Sequence, residues 1–504
     1  MFNGTMMQYF KYFLPSGCKL WNGIYNEAKK LSDIGITAIW LPPAYKGMGG
    51  SDDVGYSVYD LYDLGEFYQK GSKETKYGNK EEYIQAIEKL HSYNIQVYGD
   101  IVLNHKMGAD FTEEINCQEV QQYDRNKVIN EEKIICGWTG FEFAGRDNKY
   151  SEFKWDYRCF TAVDYDEYSK KKSIYKFKGK DWSVDVDDEN GNYDYLMGCD
   201  IDFSNENVLN EIERWGKWYL SVTGIDGMRL DAIKHISAGF YKKWIKCMRG
   251  YTGKELFSVG EYWHGDVEVL LRYIEKTDGV MSLFDVPLHY NFYEASHNCN
   301  YDMRNIFKGT LVERNEVKAV TFVDNHDTEK GASLESPVAE WFKLIAYGLI
   351  LLRKAGYPCI FYDDYYADKS GNKEVVEGLK KLLDIRKNLA YGEEKEYFDD
   401  CNIVGWTRGG IDELKDSGIA VIISNNGDGY KEMYIGEKFK KIVFVDIMGR
   451  RKEEVKINKS DIGMFYVSDK SISVWVLKKM RYSKKIYLIN FFFFFIGIYI
   501  RFCL

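Results

Sequence analysis

Residues 225–235 read Ile-Asp-Gly-Met-Arg-Leu-Asp-Ala-Ile-Lys-His, an apolar strand that ends in a dense group of charged side chains. Arg229 and Asp231 are two residues apart, so in a β-strand their side chains point to the same face. Comparable apolar runs end in Asn104-His105, in Glu261-Tyr262-Trp263 and in Asn325-His326-Asp327. In a (β/α)₈ barrel, functional side chains project from the carboxyl ends of the strands and converge on one axis. We therefore predict a barrel with a site built from several carboxylates.

The rest of the chain alternates short β-rich apolar runs with longer helical stretches, the pattern typical of a parallel sheet. The strand candidates are Thr5–Phe10, Ile36–Leu41, Gln96–Leu103, Ile225–Leu230, Phe257–Glu261, Ser282–Val286, Ala319–Val323 and Pro358–Tyr362. Helices are predicted around 22–33, 79–93, 205–222, 237–250, 265–276, 301–310, 335–354 and 374–389. Eight strands and eight helices are the number that closes an α/β TIM barrel.

Two segments interrupt or follow this alternation. The stretch 104–206 is rich in Asp, Tyr, Trp, Gly and Asn and is too long for a normal βα loop, which predicts an inserted, irregular β-rich domain after strand three. Residues 1–103 and 207–394 would then form the barrel, and 395–479 an antiparallel β-sandwich. The apolar tail 480–504 is short for a membrane span, so we expect a dispensable or spurious extension, with a tail anchor as the alternative.

Composition excludes several classes of protein. Lys and Arg total 68 against 77 Asp and Glu, a net charge of −9 that disfavours non-specific nucleic-acid binding. Aromatic residues reach 16%, and flat rings with a polar edge suit carbohydrate faces. The ten cysteines are scattered singly, which predicts free thiols and no structural zinc site. Because the first residues resemble no secretory leader, we expect a cytoplasmic protein, and we expect a monomer.

Further motifs lie outside the strand ends, in the order and at the spacing of one known family. They are Gly4–Phe10, Ile39–Gly47, Asp53–Phe67, Gly191–Met197 and Ile403–Arg408. Together with the strand ends they resemble the α-amylase family, glycoside hydrolase family 13, and in particular its liquefying bacterial-type members. The resemblance covers about residues 1–478, and it implies a barrel with an inserted domain B and a C-terminal β domain C.

The resemblance implies roles for three carboxylates of a retaining glycosidase. Asp231 matches the nucleophile, Glu261 the general acid/base, and Asp327 a third carboxylate that grips sugar hydroxyls. Independently, a retaining enzyme needs one ionised carboxylate to attack the anomeric carbon and one protonated carboxyl for the leaving oxygen. We expect the fixed charge of Arg229 to keep Asp231 ionised, and an apolar neighbourhood to raise the pKa of Glu261. The alternative is that lone carboxylates cap helices and that an Arg–Asp pair only seals the barrel.

The same resemblance assigns substrate contacts on both sides of the bond to be cleaved. Tyr56, His105 and His326 would hold the sugar before that bond, and Lys234, His235 and Trp263 would line the leaving-group side. Three histidines could instead bind zinc, but their neighbours suit sugar hydroxyls better. The expected substrates are starch, glycogen or maltodextrins.

A structural calcium site is also implied, with Asn104, Asp194, Asp200 and the backbone carbonyl of His235 as ligands. Oxygen ligands from separate segments suit this hard cation, and the alternative is a solvated acidic loop. Relatives carry extra aspartates for adjacent ions, whereas this chain has Thr161, Ser183 and Ser204 at those positions. We therefore expect one calcium ion, although Asp181 adds a carboxylate nearby.

The chain departs from the family pattern at Asp363-Asp364, where relatives have Gly, and we expect a costly positive φ and a shortened loop there. The favoured function is an endo-acting α-amylase. The alternatives are another α-glucan enzyme (maltogenic, transglycosylating or α-glucosidase) and a catalytically silent glucan-binding protein.

Overall fold

The computed structural model describes residues 3–366 and 372–478, and its centre is a closed barrel of eight parallel strands. These strands are Met6–Gln8, Ala38–Leu41, Gln96–Ile101, Gly227–Leu230, Phe257–Gly260, Ser282–Phe284, Ala319–Phe322 and Tyr357–Phe361. The barrel closes because the first strand pairs with both the second and the eighth, Met6 lying opposite Ala38 on one side and Cys359 on the other. The predicted TIM barrel is confirmed, and every barrel strand overlaps its predicted run.

Helices connect the barrel strands and pack around them. The α-helices are Leu20–Asp33, Lys80–His91, Glu206–Thr223, Ala238–Thr252, Val267–Lys276, Val286–His297, Leu311–Arg314, Glu340–Leu351, Tyr362–Tyr366 and Lys373–Asn388. Local sequence explains their starts: at Lys80–His91, the Asn79 side chain accepts from the Glu82 amide while the Glu82 carboxylate accepts from the Asn79 amide, a capping box. Helix positions are thus encoded by caps as well as by the apolar stripe.

The prediction of a helix around residues 301–310 is wrong. The helix after the sixth strand is Val286–His297, and the predicted segment holds only a short 3₁₀ turn at Met303–Asn305. Asp285 caps the observed helix by accepting from the Leu288 amide. Pro287 lies in its first turn, where the missing N–H costs nothing, so the proline that ends many helices helps to start this one.

The inserted region forms one six-stranded sheet, as the interruption of the βα pattern predicts. In spatial order its strands are His105–Lys106, Cys199–Ile201, Phe160–Asp166, Lys171–Phe177, Phe111–Val120 and Val128–Gly140. The strand Cys199–Ile201 pairs with His105–Lys106 directly after the third barrel strand, with Asp200 opposite His105. This pairing brings the insert to the carboxyl end of the barrel.

The C-terminal region is antiparallel β structure, in agreement with the prediction. A six-stranded sheet contains Glu394–Tyr397, Ile403–Arg408, Ile419–Ser424, Ser471–Leu477, Val443–Asp446 and Glu454–Lys456, and a two-stranded sheet pairs Gly429–Tyr434 with Ile462–Val467. This region packs on the barrel helix Glu340–Leu351, where a β-carbon on Gly348 would lie 2.2 Å from Ile472. A larger residue at position 348 would therefore displace the end of the Ile472 side chain.

The expectation for Asp363 and Asp364 is wrong, because both lie in the short helix Tyr362–Tyr366 and neither has a positive φ. Asp364 is buried and accepts from Lys343 Nζ at 2.5 Å and from the Tyr347 hydroxyl at 2.6 Å. The loop expected to be shortened includes residues 367–371, and the tail prediction concerns 480–504; both lie outside the described residues. Within 3–366 and 372–478, no helix combines the length and the apolar character needed to cross a membrane.

Candidate active site

The Arg229 guanidinium joins three carboxylates at the carboxyl end of the barrel. Its Nη1 lies 2.6 Å from Asp231 Oδ1 and 2.9 Å from Asp100 Oδ1, and its Nη2 lies 2.7 Å from Glu261 Oε2. Arg229 is fully buried, and its guanidinium lies 4.9 Å from the centre of the Trp40 ring. The predicted contact between Arg229 and Asp231 is therefore present, and the same cation also holds Glu261.

Asp100 is a member of this cluster that sequence reasoning missed. Besides Arg229 it accepts from Trp40 Nε1 at 2.9 Å and from the Tyr56 hydroxyl at 2.8 Å, all through fully buried carboxylate oxygens. A carboxylate inside an apolar strand is costly unless it is paired. An aspartate within the apolar run Gln96–Ile101 was therefore a sign of a buried ion pair. The sequence of that run could not show that the partner is Arg229, which lies 129 residues further along the chain.

Burial raises the pKa of the Asp231 and Glu261 carboxyls. The pKa of Glu261 rises to about 8 because of desolvation, opposed by Arg229 and reinforced by the charges of Asp231 and Asp327. Desolvation also raises the pKa of Asp231 to about 7, and Arg229 offsets only part of this effect. The pKa of Glu261 shifts in the expected direction, whereas Arg229 only limits the rise in the pKa of Asp231, because burial outweighs the opposing charge of the cation.

The residue that directly follows Asp231, Ala232, has a strained backbone conformation. Ala232 has φ 48° and ψ 39°, the left-handed region that costs an L-residue about 1–2 kcal/mol. In this conformation its amide donates to Glu261 Oε2 at 3.2 Å. The backbone after Asp231 therefore helps to hold Glu261, a role that the alanine itself gave no reason to expect.

Asp327 belongs to the same cluster and is its most accessible carboxylate. Its side chain is 18% exposed, against 12% for Asp231 and 8% for Glu261. Ser333 Oγ donates to Asp327 Oδ1 at 3.1 Å, and the Asp327 amide donates to Asn325 Oδ1 at 2.9 Å. The carboxylate is oriented but keeps room for a ligand.

One wall of the site is aromatic and carries three of the predicted substrate contacts. The Tyr56 ring stacks on His326 with centroids 5.0 Å apart and an interplanar angle of 10°, and His105 Nε2 lies 2.9 Å from the Tyr56 carbonyl. Burial lowers the pKa of His105 and of His326 to about 4, so both are neutral near pH 7. His326 Nδ1 is buried, and among residues 3–366 and 372–478 it has no hydrogen-bond partner. Neutral imidazoles beside a flat ring suit a sugar.

Lys234, His235 and Trp263 form a second group of predicted substrate contacts. Lys234 Nζ lies 2.9 Å from Glu189 Oε2 and 3.4 Å from the Trp263 carbonyl. His235 Nδ1 lies 2.7 Å from the Tyr193 carbonyl, and burial lowers the pKa of His235 to about 3. The zinc alternative concerned His105, His235 and His326, and each of these histidines has different neighbours. Within the described ranges, no group of three or more His, Cys, Asp or Glu residues could hold a metal ion.

The predicted calcium ligands are buried at the junction of barrel and insert. Asn104 Oδ1 is buried and accepts no hydrogen bond from any residue that the structure describes. Asp194 and Asp200 are both nearly inaccessible; burial raises the pKa of Asp194 to about 7, and burial followed by the charge of Asp194 raises that of Asp200 well above its usual range. An orphaned amide oxygen beside two destabilised carboxylates fits an oxygen-liganded cation.

Two of the three hydroxyls at the predicted lost metal positions, those of Thr161 and Ser204, make hydrogen bonds to aspartates. Thr161 Oγ1 donates to Asp200 Oδ2, and Ser204 Oγ donates to Asp202 Oδ1 at 2.5 Å. The ammonium of Lys180 pairs with the other oxygen of Asp202. The Lys180 ammonium thus compensates the charge of Asp202, whereas no lysine or arginine among the described residues pairs with Asp194 or Asp200.

Comparisons with known proteins agree with this geometry. Residues 10–393 match the family described as "Alpha amylase, catalytic domain", and residues 419–476 match "Alpha-amylase C-terminal". The chain is 50% identical over 486 residues to an alpha-amylase of Geobacillus stearothermophilus, covering 96% of this chain and 88% of that protein. It is 44% identical over 497 residues to the cytoplasmic alpha-amylase of Escherichia coli K12, covering 95% of this chain and all of that protein.

A solved structure shows the same fold at lower sequence identity. The alpha-amylase of Geobacillus thermoleovorans in complex with acarbose aligns with a TM-score of 0.62 at 17% identity, over 95% of this chain and 98% of that one.

Proposed function

The chain belongs to the α-amylase family, and on that premise we propose how its own residues cleave a glucan. It is an endo-acting α-amylase that hydrolyses internal α-1,4-glucosidic bonds with retention of configuration. Starch, glycogen and maltodextrins are the proposed substrates. The single observation that carries the residue roles is the buried Arg229 guanidinium bonded to both Asp231 and Glu261.

In the first step, Asp231 attacks the anomeric carbon while Glu261 gives its proton to the leaving oxygen. The glucosidic C–O bond breaks as the ester to Asp231 forms. The raised pKa of Glu261 supports its role as the acid, because burial keeps it protonated near neutral pH. Arg229 Nη1 lies 2.6 Å from Asp231 Oδ1 and opposes the rise in the pKa of that carboxyl, which supports the role of Asp231 as the nucleophile.

In the second step, the ionised Glu261 takes a proton from water while the water oxygen bonds to the anomeric carbon. The ester bond to Asp231 breaks as the new bond forms, which returns that carboxylate. Asp327 is accessible enough to hold sugar hydroxyls in both steps. Tyr56, His105 and His326 are proposed to contact the sugar before the bond, and Lys234, His235 and Trp263 the leaving portion.

A calcium ion is proposed at Asn104, Asp194, Asp200 and the carbonyl of His235. The orphaned Asn104 oxygen and the two buried carboxylates support it. When bound, the ion would offset their charge and hold the insert to the barrel. Because only two of the four proposed donors are carboxylates, such a site does not need a cluster of three acidic or histidine side chains.

A cytoplasmic location and a monomeric state are also proposed. The location rests on the similar protein of Escherichia coli that is named cytoplasmic. All nine cysteines of the described ranges are free thiols, which is typical of a reducing compartment. Cell fractionation tests the location, and sedimentation of the purified chain tests the oligomeric state.

A starch–iodine assay with product analysis tests the activity. Wild-type protein should remove iodine colour early while releasing mixed oligosaccharides, whereas an exo-acting enzyme releases one short product before the colour falls. Glu261→Gln and Asp231→Asn should each lower turnover by at least about 10²-fold while glucan binding persists. Turnover above about a tenth of wild type in either variant would show that the roles are assigned wrongly.

A further inference from the structure

The Trp263 ring is held by a tyrosine to which the mechanism gives no role. Trp263 Nε1 donates to the Tyr290 hydroxyl at 2.8 Å, and the two rings meet edge to face with centroids 6.1 Å apart and an interplanar angle of 78°. Tyr290 lies on the helix Val286–His297 and is 37% exposed. An exposed tyrosine thus orients a tryptophan that lies two residues after Glu261.

The other side of the Trp263 ring faces a rigid wall. Its centroid lies 5.9 Å from the His289 ring and 6.2 Å from the Phe322 ring. His289 is fully buried and stacks on Phe322 at 5.2 Å and 7°, with Nδ1 2.7 Å from the Val323 carbonyl and Nε2 3.0 Å from Ser336 Oγ. The wall cannot shift easily, so the hydrogen bond to Tyr290 selects the position of the indole in front of it.

The Tyr290 ring lies close to the backbone that follows Trp263. A β-carbon on Gly265 would lie 3.4 Å from Tyr290 Cδ2, so the tyrosine ring packs against the turn that follows Trp263. On the other side, the Trp263 carbonyl receives Lys234 Nζ at 3.4 Å. Tyr290, Trp263 and Lys234 therefore form one connected side of the site.

We propose that Tyr290 is a positioning residue that fixes the Trp263 ring for the sugar on the leaving-group side of the cleaved bond. The inference rests on the proposed role of Trp263. The tyrosine acts through the tryptophan, because its hydroxyl oxygen accepts the hydrogen bond from the indole N–H. Its removal should weaken binding of the leaving portion and leave the sugars before the bond unaffected.

Two substrates separate this role from a general loss of structure. Maltoheptaose has sugars on both sides of the cleaved bond, whereas α-maltotriosyl fluoride has only a fluoride ion as its leaving group and cannot touch Trp263 on that side. Tyr290→Phe removes one hydroxyl and keeps the ring. It should lower the ratio of kcat/KM for maltoheptaose to kcat/KM for the fluoride by about three- to tenfold, the effect of one neutral hydrogen bond.

A double-mutant cycle tests whether Tyr290 acts through Trp263. In the Trp263→Phe background, which has no indole N–H, Tyr290→Phe should change the ratio by less than about twofold. Tyr293→Phe, which removes a hydroxyl from the same helix, is the matched control and should leave the ratio at the wild-type value.

An equal loss on both substrates, an unchanged ratio, or the same loss with and without the indole would overturn the proposal. Wild-type protein that cleaves neither substrate would instead contradict the proposed function itself.

Discussion

Replacing Arg229 with lysine tests the centre of the site, because lysine keeps the positive charge and loses the planar fork. The guanidinium uses two nitrogens to reach Asp100, Asp231 and Glu261 at 2.6–2.9 Å. A single ammonium cannot occupy both nitrogen positions, so at least one charged hydrogen bond is lost. Such a bond contributes about 1.5–3 kcal/mol, which corresponds to a loss of about 10- to 150-fold in kcat/KM.

The same substitution should change the pH profile. Arg229 opposes the rise in the pKa of Asp231, so a weaker contact lets that pKa rise further. The acidic limb of kcat/KM should therefore move to higher pH, since Asp231 must lose its proton to attack. The assay is hydrolysis of maltoheptaose between pH 5 and 9, with urea unfolding of the same samples.

Arg386 is the matched control for this experiment. It is also a buried arginine with several hydrogen bonds, to the Gly4 and Leu351 carbonyls and to Thr5 Oγ1, but it lies at the opposite end of the barrel. Arg386→Lys should lower the free energy of unfolding and leave kcat/KM and its pH profile unchanged. Arg229→Lys with activity within twofold of wild type, or an equal loss in both variants, would refute the reasoning.

Three further predictions follow from the electrostatics. With pKa values raised to about 7 for Asp231 and about 8 for Glu261, kcat/KM should fall below about pH 7 and above about pH 8, and an optimum near pH 5 would contradict this. Calorimetric titration of metal-free protein should give close to one tight calcium per chain, and chelation should lower Tm; two or more tight sites would be the contrary result. Lys343→Met should cost about 3–5 kcal/mol in urea unfolding, because it leaves the buried Asp324 and Asp364 without their shared cation, and a loss below about 1 kcal/mol would show that the pair is solvated.

Much of this protein could be read from its sequence because the decisive signals are local. The alternation of apolar runs and helical stretches depends on neighbouring residues, and it located all eight barrel strands. The carboxylates of Asp231, Glu261 and Asp327 follow directly after such runs, and the barrel geometry alone makes strand ends meet. The insert was equally visible, since 104–206 breaks the alternation.

The tertiary structure decided what depends on residues far apart in the chain. The partner of Arg229 at Asp100 and the partner of Trp263 at Tyr290 come from other strands and helices, so no local pattern indicates them. The pKa of Asp231 could not be predicted either, because the nearby cation was visible in sequence whereas the depth of burial was not. Side-chain contacts and desolvation are properties of the packed molecule, which is why the positions of the strand-end carboxylates could be predicted from sequence whereas their long-range partners and the balance of burial against charge at Asp231 could not.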